Sequence, residues 1–265
     1  MKLLTLNTHS LKEKSYDKKL NTLVNAIIKH KIDVVALQEV MQPINEVASK
    51  YPHANCGNIP LKRGNHALNV AKALEEKGEK YNLVWVGFKR SYDIFDEGLA
   101  ILTPHAVEDV KVITLTSFDN YHDWKTRKSL GAKIKGEWFY SVHMGWWDSF
   151  ECEFGSLLGG IENDKRAWLM GDFNSVASER DKGYDLVIAS GLYDTYTLAV
   201  NKDSGITAHV GIDGWEGEEK EIRIDYIFVN KKTKIESSLV IFNGTNEDIV
   251  SDHFGILLTT GKDNL

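Results

Sequence analysis

Apolar and polar positions alternate along the chain in short runs whose period switches repeatedly. Residues 2–7 (KLLTLN) form an apolar run closed by Asn7, and residues 33–38 (DVVALQ) form a second, followed by Glu39. Between them, Leu20, Leu23, Val24, Ile27 and Ile28 lie on one stripe of a 3.6-residue period, which predicts an amphipathic helix over residues 17–30. Strand, helix, strand in that order predicts a crossover with parallel strands finishing on one edge, so Asn7 and Glu39 should be neighbours. Residues 41–65 contain Pro43, Pro52, Pro60, Gly57 and Gly64 and keep no period. They read as a long loop over that edge, a common place for substrate contacts.

A second helix is predicted over residues 67–77. Residues 81–88 (YNLVWVGF) and 98–102 (GLAIL) predict paired strands separated by a polar loop, 89–97. Further strands follow at 107–115, 129–134 and 137–142, the last two joined by a hairpin turn at Lys135 and Gly136. Helices are expected at 150–158 and 179–190, the latter stopped by Gly191. A short strand region at 192–198, a Gly- and Trp-containing loop at 206–221 and closing strands at 223–229, 237–242 and 255–260 complete the chain. With no repeat or linker, residues 1–265 read as one domain. The order of units predicts an α/β fold in which two mixed, mostly antiparallel sheets pack face to face with helices outside.

The stretch 167–174 (AWLMGDFN) brings in the chemistry. An apolar strand stops at Gly171 and delivers Asp172 and Asn174 to one face, with Phe173 pointing the other way. A carboxylate can bind a metal or take a proton, and a carboxamide can donate N–H to an anionic oxygen without adding negative charge. Alone, these residues read equally well as a polar turn after a buried strand. Other apolar runs end in the same way, at Asn7, Glu39, His143, Asp225 and the Ser251-Asp252-His253 triplet. Strand ends that collect amides, imidazoles and carboxylates are how an α/β active site is assembled.

Composition narrows the classes. The 265 residues are 42% hydrophobic, enough for a sizeable core. A net charge of −6 without any block of like charge argues against a basic nucleic-acid arm, although a local basic groove can sit on an acidic protein. Cys56 and Cys152 lie outside metal-type spacing and suit a reducing compartment. The opening MKLLTLNTH turns polar too soon for a secretory signal, and no apolar run reaches the roughly 18 to 20 residues of a membrane span. The expectation is a cytoplasmic monomer or weak oligomer without a membrane partner.

Taken in order, Asn7, Leu37-Gln38-Glu39, Asp96-Glu97-Gly98, His143, Gly171-Asp172-Phe173-Asn174, Asp225-Tyr226 and Ser251-Asp252-His253 resemble the endonuclease/exonuclease/phosphatase superfamily over essentially the whole chain. The resemblance implies a four-layer α/β sandwich. Within the superfamily, DEGLAILTPH, WKTRKSLGA, HMGWWDS, ASGLYDTYTLA, RIDYIFVN and VIFNGTNEDIVSDHFG are most similar to bacterial maltose 6′-phosphate phosphatases.

That resemblance implies roles for individual residues. Glu39, with Asn7 and Asp252, would hold a divalent metal, Mg²⁺ or its substitute Mn²⁺, as a hard carboxylate does together with waters and a substrate phosphate. His143 and His253 would flank the phosphate, with Asp225 fixing the tautomer of His253 and Glu97 that of His143. Asp172 would orient or deprotonate the attacking water, and Asn174 would hold a phosphate oxygen. No Ser or Cys has a nucleophile motif, so in-line attack by water without a covalent intermediate is implied.

Arg127 and Lys128 suit phosphate binding, or else are solvated charges at a strand start. Trp124, Trp146, Trp147 and Trp215 fall in predicted loops, where they would stack on a sugar or a base or plug the rim of the core. The leading expectation is a metal-dependent phosphatase acting on a small phosphorylated sugar such as maltose 6′-phosphate. A nuclease or DNA-repair phosphodiesterase is the alternative and would need a continuous basic groove. A phospholipid hydrolase would want an exposed apolar hairpin, and a non-enzymatic scaffold would not need Glu39, Asp172 and His253 together.

Overall fold

The apolar runs become strands and the helical stripes become helices in the computed structural model, which describes residues 1–209 and 221–261. In chain order the elements are β1 (Lys2–Asn7), α1 (Tyr16–His30), β2 (Val34–Pro43), β3 (Ala54–Asn55), α2 (His66–Glu76), β4 (Asn82–Ser91), β5 (Phe95–Thr103), β6 (Val107–Thr114), β7 (Lys128–Ile134), β8 (Glu137–His143), α3 (Trp147–Gly160), β9 (Ala167–Asp172), α4 (Gly183–Ala189), β10 (Tyr193–Asp194), α5 (Thr195–Leu198), β11 (Asn201–Lys202), β12 (Asp225–Val229), β13 (Ile235–Ile241) and β14 (Gly255–Thr260). One sheet runs β11-β13-β14-β1-β2-β5-β4-β3 and the other β10-β12-β9-β8-β7-β6. Both are mixed.

Period-two alternation assigns the faces. Leu3, Val34 and Ala36 point inward and meet Ala132, Phe139, Trp168 and Met170 of the second sheet. Leu4, Leu6, Val35 and Leu37 point outward onto Leu23 and Ile27 of α1 and Leu68 of α2. Tyr140, Val142 and Leu169 of the second sheet meet Phe150 and Phe154 of α3 and Val187 of α4. The result is a four-layer α/β sandwich, as expected. Each fully buried Leu, Val or Phe contributes about 1.5–3 kcal/mol of transfer free energy.

The first crossover forms as the sequence predicts, with β1 and β2 parallel from Leu3↔Val34 to Asn7↔Gln38. Gln38 ties the two sheets together. Its Nε2 donates to Ser141 Oγ at 2.9 Å, and that hydroxyl donates to the Leu37 carbonyl at 3.0 Å. Thr5 Oγ1 donates to Gln38 Oε1 at 3.3 Å. This buried polar link fixes the register of β2 against β8, so the ends of strands from both sheets face each other across one cleft. Lys135 and Gly136 both have positive φ, 52° and 77°, as a two-residue hairpin turn requires.

Three sequence expectations need correction. The polar loop predicted at 89–97 is largely strand, because β4 and β5 pair up to Ser91↔Phe95 and leave a three-residue tip. Lys89 and Glu97 neutralise each other inside the ladder, and this hides their burial from a hydropathy pattern. Residues 192–198 are a two-residue strand followed by a single helical turn, where Asp194 accepts from Tyr196 N at its start. The helix predicted from 179 begins only at Gly183.

His66, at the start of α2, is buried. Its Nδ1 lies 3.0 Å from the Tyr16 hydroxyl, and its Nε2 has no partner. Burial pulls its pKa down to about 4. The unfolded chain takes up a proton near the ordinary value of about 6.5, whereas the folded chain resists until about pH 4. Stability conferred by the neutral ring is therefore complete above pH 6.5 and is lost as pH falls towards 4, by about 3 kcal/mol. Urea melts across that interval should show this slope, and His66→Gln should flatten it. An unchanged slope in the variant would place the acid sensitivity elsewhere.

Candidate active site

The strand ends open on a cavity of about 420 Å³ whose lining includes Glu39, His143, Asp172, Asn174, Asp252 and His253. Each is placed by a local device. A bulge in β2, where the register against β5 shifts between Leu37 and Val40, puts Glu39 at φ 49°. Its backbone carbonyl accepts from Ser10 Oγ at 2.8 Å, so the strained residue is held from outside its side chain. Asn174 is also in the left-handed region, at φ 46°. Its N–H donates to Asp172 Oδ1 at 2.8 Å, and its Nδ2 donates to the Met144 carbonyl at 2.9 Å. Phe173 points away into the outer core against Phe228, as alternation demands.

Asp172 Oδ2 is the geometric centre. Asn7 Nδ2 donates to it at 3.1 Å and to Glu39 Oε1 at 3.0 Å, confirming the predicted neighbours. His143 Nε2 lies 3.7 Å and His253 Nε2 3.8 Å from the same oxygen. Behind His253, Nδ1 is 3.0 Å from Asp225 Oδ2, the expected pair. The expected partner of His143 is different. Glu97 bonds Lys89 Nζ at 2.9 Å, whereas the carboxylates beside His143 are Asp172 and Glu39, the latter at 4.0 Å. A buried lysine is the stronger electrostatic partner for a buried carboxylate, which explains the exchange.

The electrostatics divide the site. Burial, then the neighbouring Asp225 charge, push Asp172 up to about 7. Burial alone would lower His253, but Asp225 and Asp172 override it and hold the ring well above the ordinary range. Burial, then Arg127 and Lys89, hold His143 well below it. One imidazole is thus a standing cation and the other neutral, with a carboxyl between them that exchanges its proton near neutral pH.

Glu39 is raised by burial, then by Glu97 and Asp252. That excess of negative charge, together with an all-oxygen donor set, fits a hard divalent cation. Asp252 stands at the cavity wall, accepts from Ser251 Oγ at 3.1 Å and lies 3.9 Å from His9 Nδ1. Asp172, Asp225 and His253 form a second, buried group of ligand-type atoms within 4.8 Å of one another.

Of the expected substrate contacts, Trp124 and Trp146 line the cavity and meet edge to face at 5.6 Å, with Trp124 52% exposed. Arg127 also lines it, although only 3% exposed. Lys128 does not, because it points away to pair with Asp119 at 2.6 Å. Arg127 lies immediately before β7, where its carbonyl accepts from Leu115 N at 2.9 Å, and successive side chains of extended backbone point to opposite sides, so Arg127 and Lys128 do not both enter. Trp215 and the side chain of Trp147 lie outside the described residues. The sequence reading missed His9, Lys89 and His122, all in the lining. His9 follows Asn7 by two positions, a signal the strand-end pattern could have carried; Lys89 gave none. Among the described residues no helix is long and apolar enough to cross a membrane.

Residues 4–253 match the Endonuclease/Exonuclease/phosphatase family. The fold is similar to an endonuclease/exonuclease/phosphatase family protein from Leptotrichia buccalis, at 31% identity over 99% of this chain and 100% of that one, with a TM-score of 0.89. More distant structures share the architecture. A mannosyl-6-phosphatase of Bacteroides thetaiotaomicron has 16% identity over 99% and 100% of the two chains and a TM-score of 0.68. A 3′ phosphatase of Neisseria bound to product DNA hairpin has 18% identity over the same shares and a TM-score of 0.66. A comparison with curated protein sequences yields no match.

Proposed function

Because the chain belongs to the Endonuclease/Exonuclease/phosphatase family, whose members are phosphoesterase hydrolases, we propose that it is a metal-dependent phosphomonoesterase acting on a small phosphorylated sugar. The observation that carries the substrate class is the aromatic wall. Trp124 and Trp146 stand beside the strand-end polar groups in a cavity of about 420 Å³, a size that suits a small ligand. A sugar ring presents C–H faces that pack on such a wall, while its phosphate reaches the floor.

In this reading Glu39, with Asn7 and Asp252, holds Mg²⁺ or Mn²⁺, which when bound neutralises charge on the phosphoryl oxygens. Asp172 takes a proton from the water that attacks phosphorus in line. Its near-neutral pKa suits a base working at neutral pH. His253, kept cationic by Asp225, and His143, a neutral donor, bond the equatorial oxygens as charge grows there. Asn174 adds an uncharged donor. The P–O bond to the sugar breaks as the O–P bond from water forms, the departing sugar oxygen takes a proton from solvent water, and the proton held by Asp172 returns to solvent, giving orthophosphate and the free sugar.

The test is phosphate release in Mg²⁺ from maltose 6′-phosphate, glucose 6-phosphate, an aryl phosphate and an abasic-site duplex, each with an EDTA control. A preference of about tenfold or more for a sugar phosphate, abolished by EDTA, is expected. The cations Lys89, Arg90 and Arg127 on the cavity wall favour the nuclease alternative to the extent that they could follow a nucleic-acid backbone. Cleavage of the duplex with little sugar-phosphate activity would establish that alternative and overturn the proposal.

A further inference from the structure

Beside the imidazoles, Lys89 and Arg127 are buried cations of the cavity wall, 5% and 3% exposed, and the Glu97 carboxylate acts on both. Lys89 Nζ lies 2.9 Å from Glu97 Oε1 and donates to the Trp124 carbonyl at 3.3 Å. Arg127 makes no ion pair with any described residue. Its Nη1 donates to the carbonyls of Trp124 at 2.7 Å and Thr126 at 3.2 Å, and its Nε has no partner. Two fixed positive charges thus sit in the same wall as His143 and Trp124, where both act on Glu97 and Lys89 is also drawn by Glu39, while Arg127 is left without an ion-pair partner among the described residues. An uncompensated buried charge costs several kcal/mol unless something anionic offsets it.

We propose that Lys89 and Arg127 form a cationic floor that takes the extra charge of a phosphomonoester dianion and selects it over a phosphodiester. This rests on the phosphatase reading and adds the residues that set its ester class. A monoester carries about two negative charges at neutral pH and a diester about one. A diester also places an alkyl group on one of the oxygens that would meet the floor, so it leaves a buried donor unpaired. The floor is a positioning and specificity device: its cations act on oxygens that do not leave.

The test compares an aryl phosphate with the methyl ester of the same aryl phosphate, in saturating Mg²⁺. Lys89→Met combined with Glu97→Gln removes the ion pair without stranding either charge. It is expected to lower kcat/KM for the monoester about 100-fold and for the diester less than about tenfold, and to raise the inhibition constant of orthophosphate in step with the monoester loss. Glu97→Gln alone keeps both cations and strips one counter-charge, so its monoester-to-diester ratio is expected to rise several-fold. Equal losses on both esters in the double variant, or an unchanged or lowered ratio in Glu97→Gln, would overturn the proposal. The single variant decides alone if the double variant does not fold. If the wild-type protein cleaves only the diester, the phosphatase reading itself fails, a result distinct from equal losses in a working monoesterase.

Discussion

Glu39→Gln is expected to lower kcat/KM for phosphate release by at least two to three orders of magnitude while the protein stays folded, the scale of losing a main electrostatic contributor. The two halves of that expectation have separate grounds. Folding survives because the backbone of residue 39 is anchored through its carbonyl to Ser10 and Thr8, and Gln keeps a group that Asn7 can bond. Activity falls because the carboxylate is what makes this corner attractive to a cation. Glu97 and Asp252, which line the cavity with it, already crowd it with negative charge, and Glu39 is the carboxylate that Asn7 holds in place there.

Removing one charge should also move the midpoint of a Mg²⁺ titration of activity upward by about tenfold or more. Steady-state rates across Mg²⁺ concentrations, with melting temperatures run alongside, check both halves. His253→Ala is expected to cost as much, without the shift in Mg²⁺ midpoint, because its role is at the phosphoryl oxygens. Near-normal rates in either variant would remove that residue from its assigned place.

How far the sequence could be read follows from which forces write themselves locally. Apolar runs and helical periodicity are local, so the strands β1, β2 and β9, the shared face of Asp172 and Asn174 and the stripe of α1 were legible, and two sheets packed face to face with helices outside followed from their order. The meeting of Asn7 with Glu39 was legible because a crossover has one hand and two parallel strands share an end. The pairing of Asp225 with His253 came through the resemblance and has its geometry in the structure. What could not be read was polar pairing between distant segments. Lys89 and Glu97 looked like loop residues because nothing local says that a lysine will meet a carboxylate across a hairpin. The same blindness misassigned Glu97 to His143. Lys128 entered the expected site only because it sits beside Arg127, and strand alternation, applied one residue further, would have removed it. Gln38, which joins the sheets beneath the site, looked like the end of an apolar run.

Gly171→Ala is expected to destabilise the fold by about 4 kcal/mol or more, or to prevent folding, because it strikes where the sandwich delivers its central carboxylate. Gly171 has φ 151°, and a Cβ there would lie 1.9 Å from the Val142 carbonyl oxygen. That carbonyl belongs to β8, whose parallel pairing with β9 runs through Val142↔Gly171 and His143↔Asp172. The two strands would have to part at the last pairs before the cavity, carrying His143 and Asp172 away from each other. A side chain at the far end of a flexible residue could swing aside; a backbone oxygen inside a ladder cannot.

The control is Gly191→Ala, whose φ is 91° but whose added methyl would meet nothing within 4 Å. It carries the left-handed backbone cost without the collision and is expected to lose only about 1–2 kcal/mol. Denaturant melts of the two variants separate the effects, and a third variant at a distance from the cavity guards against a general intolerance of alanine. If Gly171→Ala melts within a few degrees of Gly191→Ala, β8 and β9 have slack at their ends. The fixed spacing of His143 and Asp172 would then have to come from the Gln38 link beneath them.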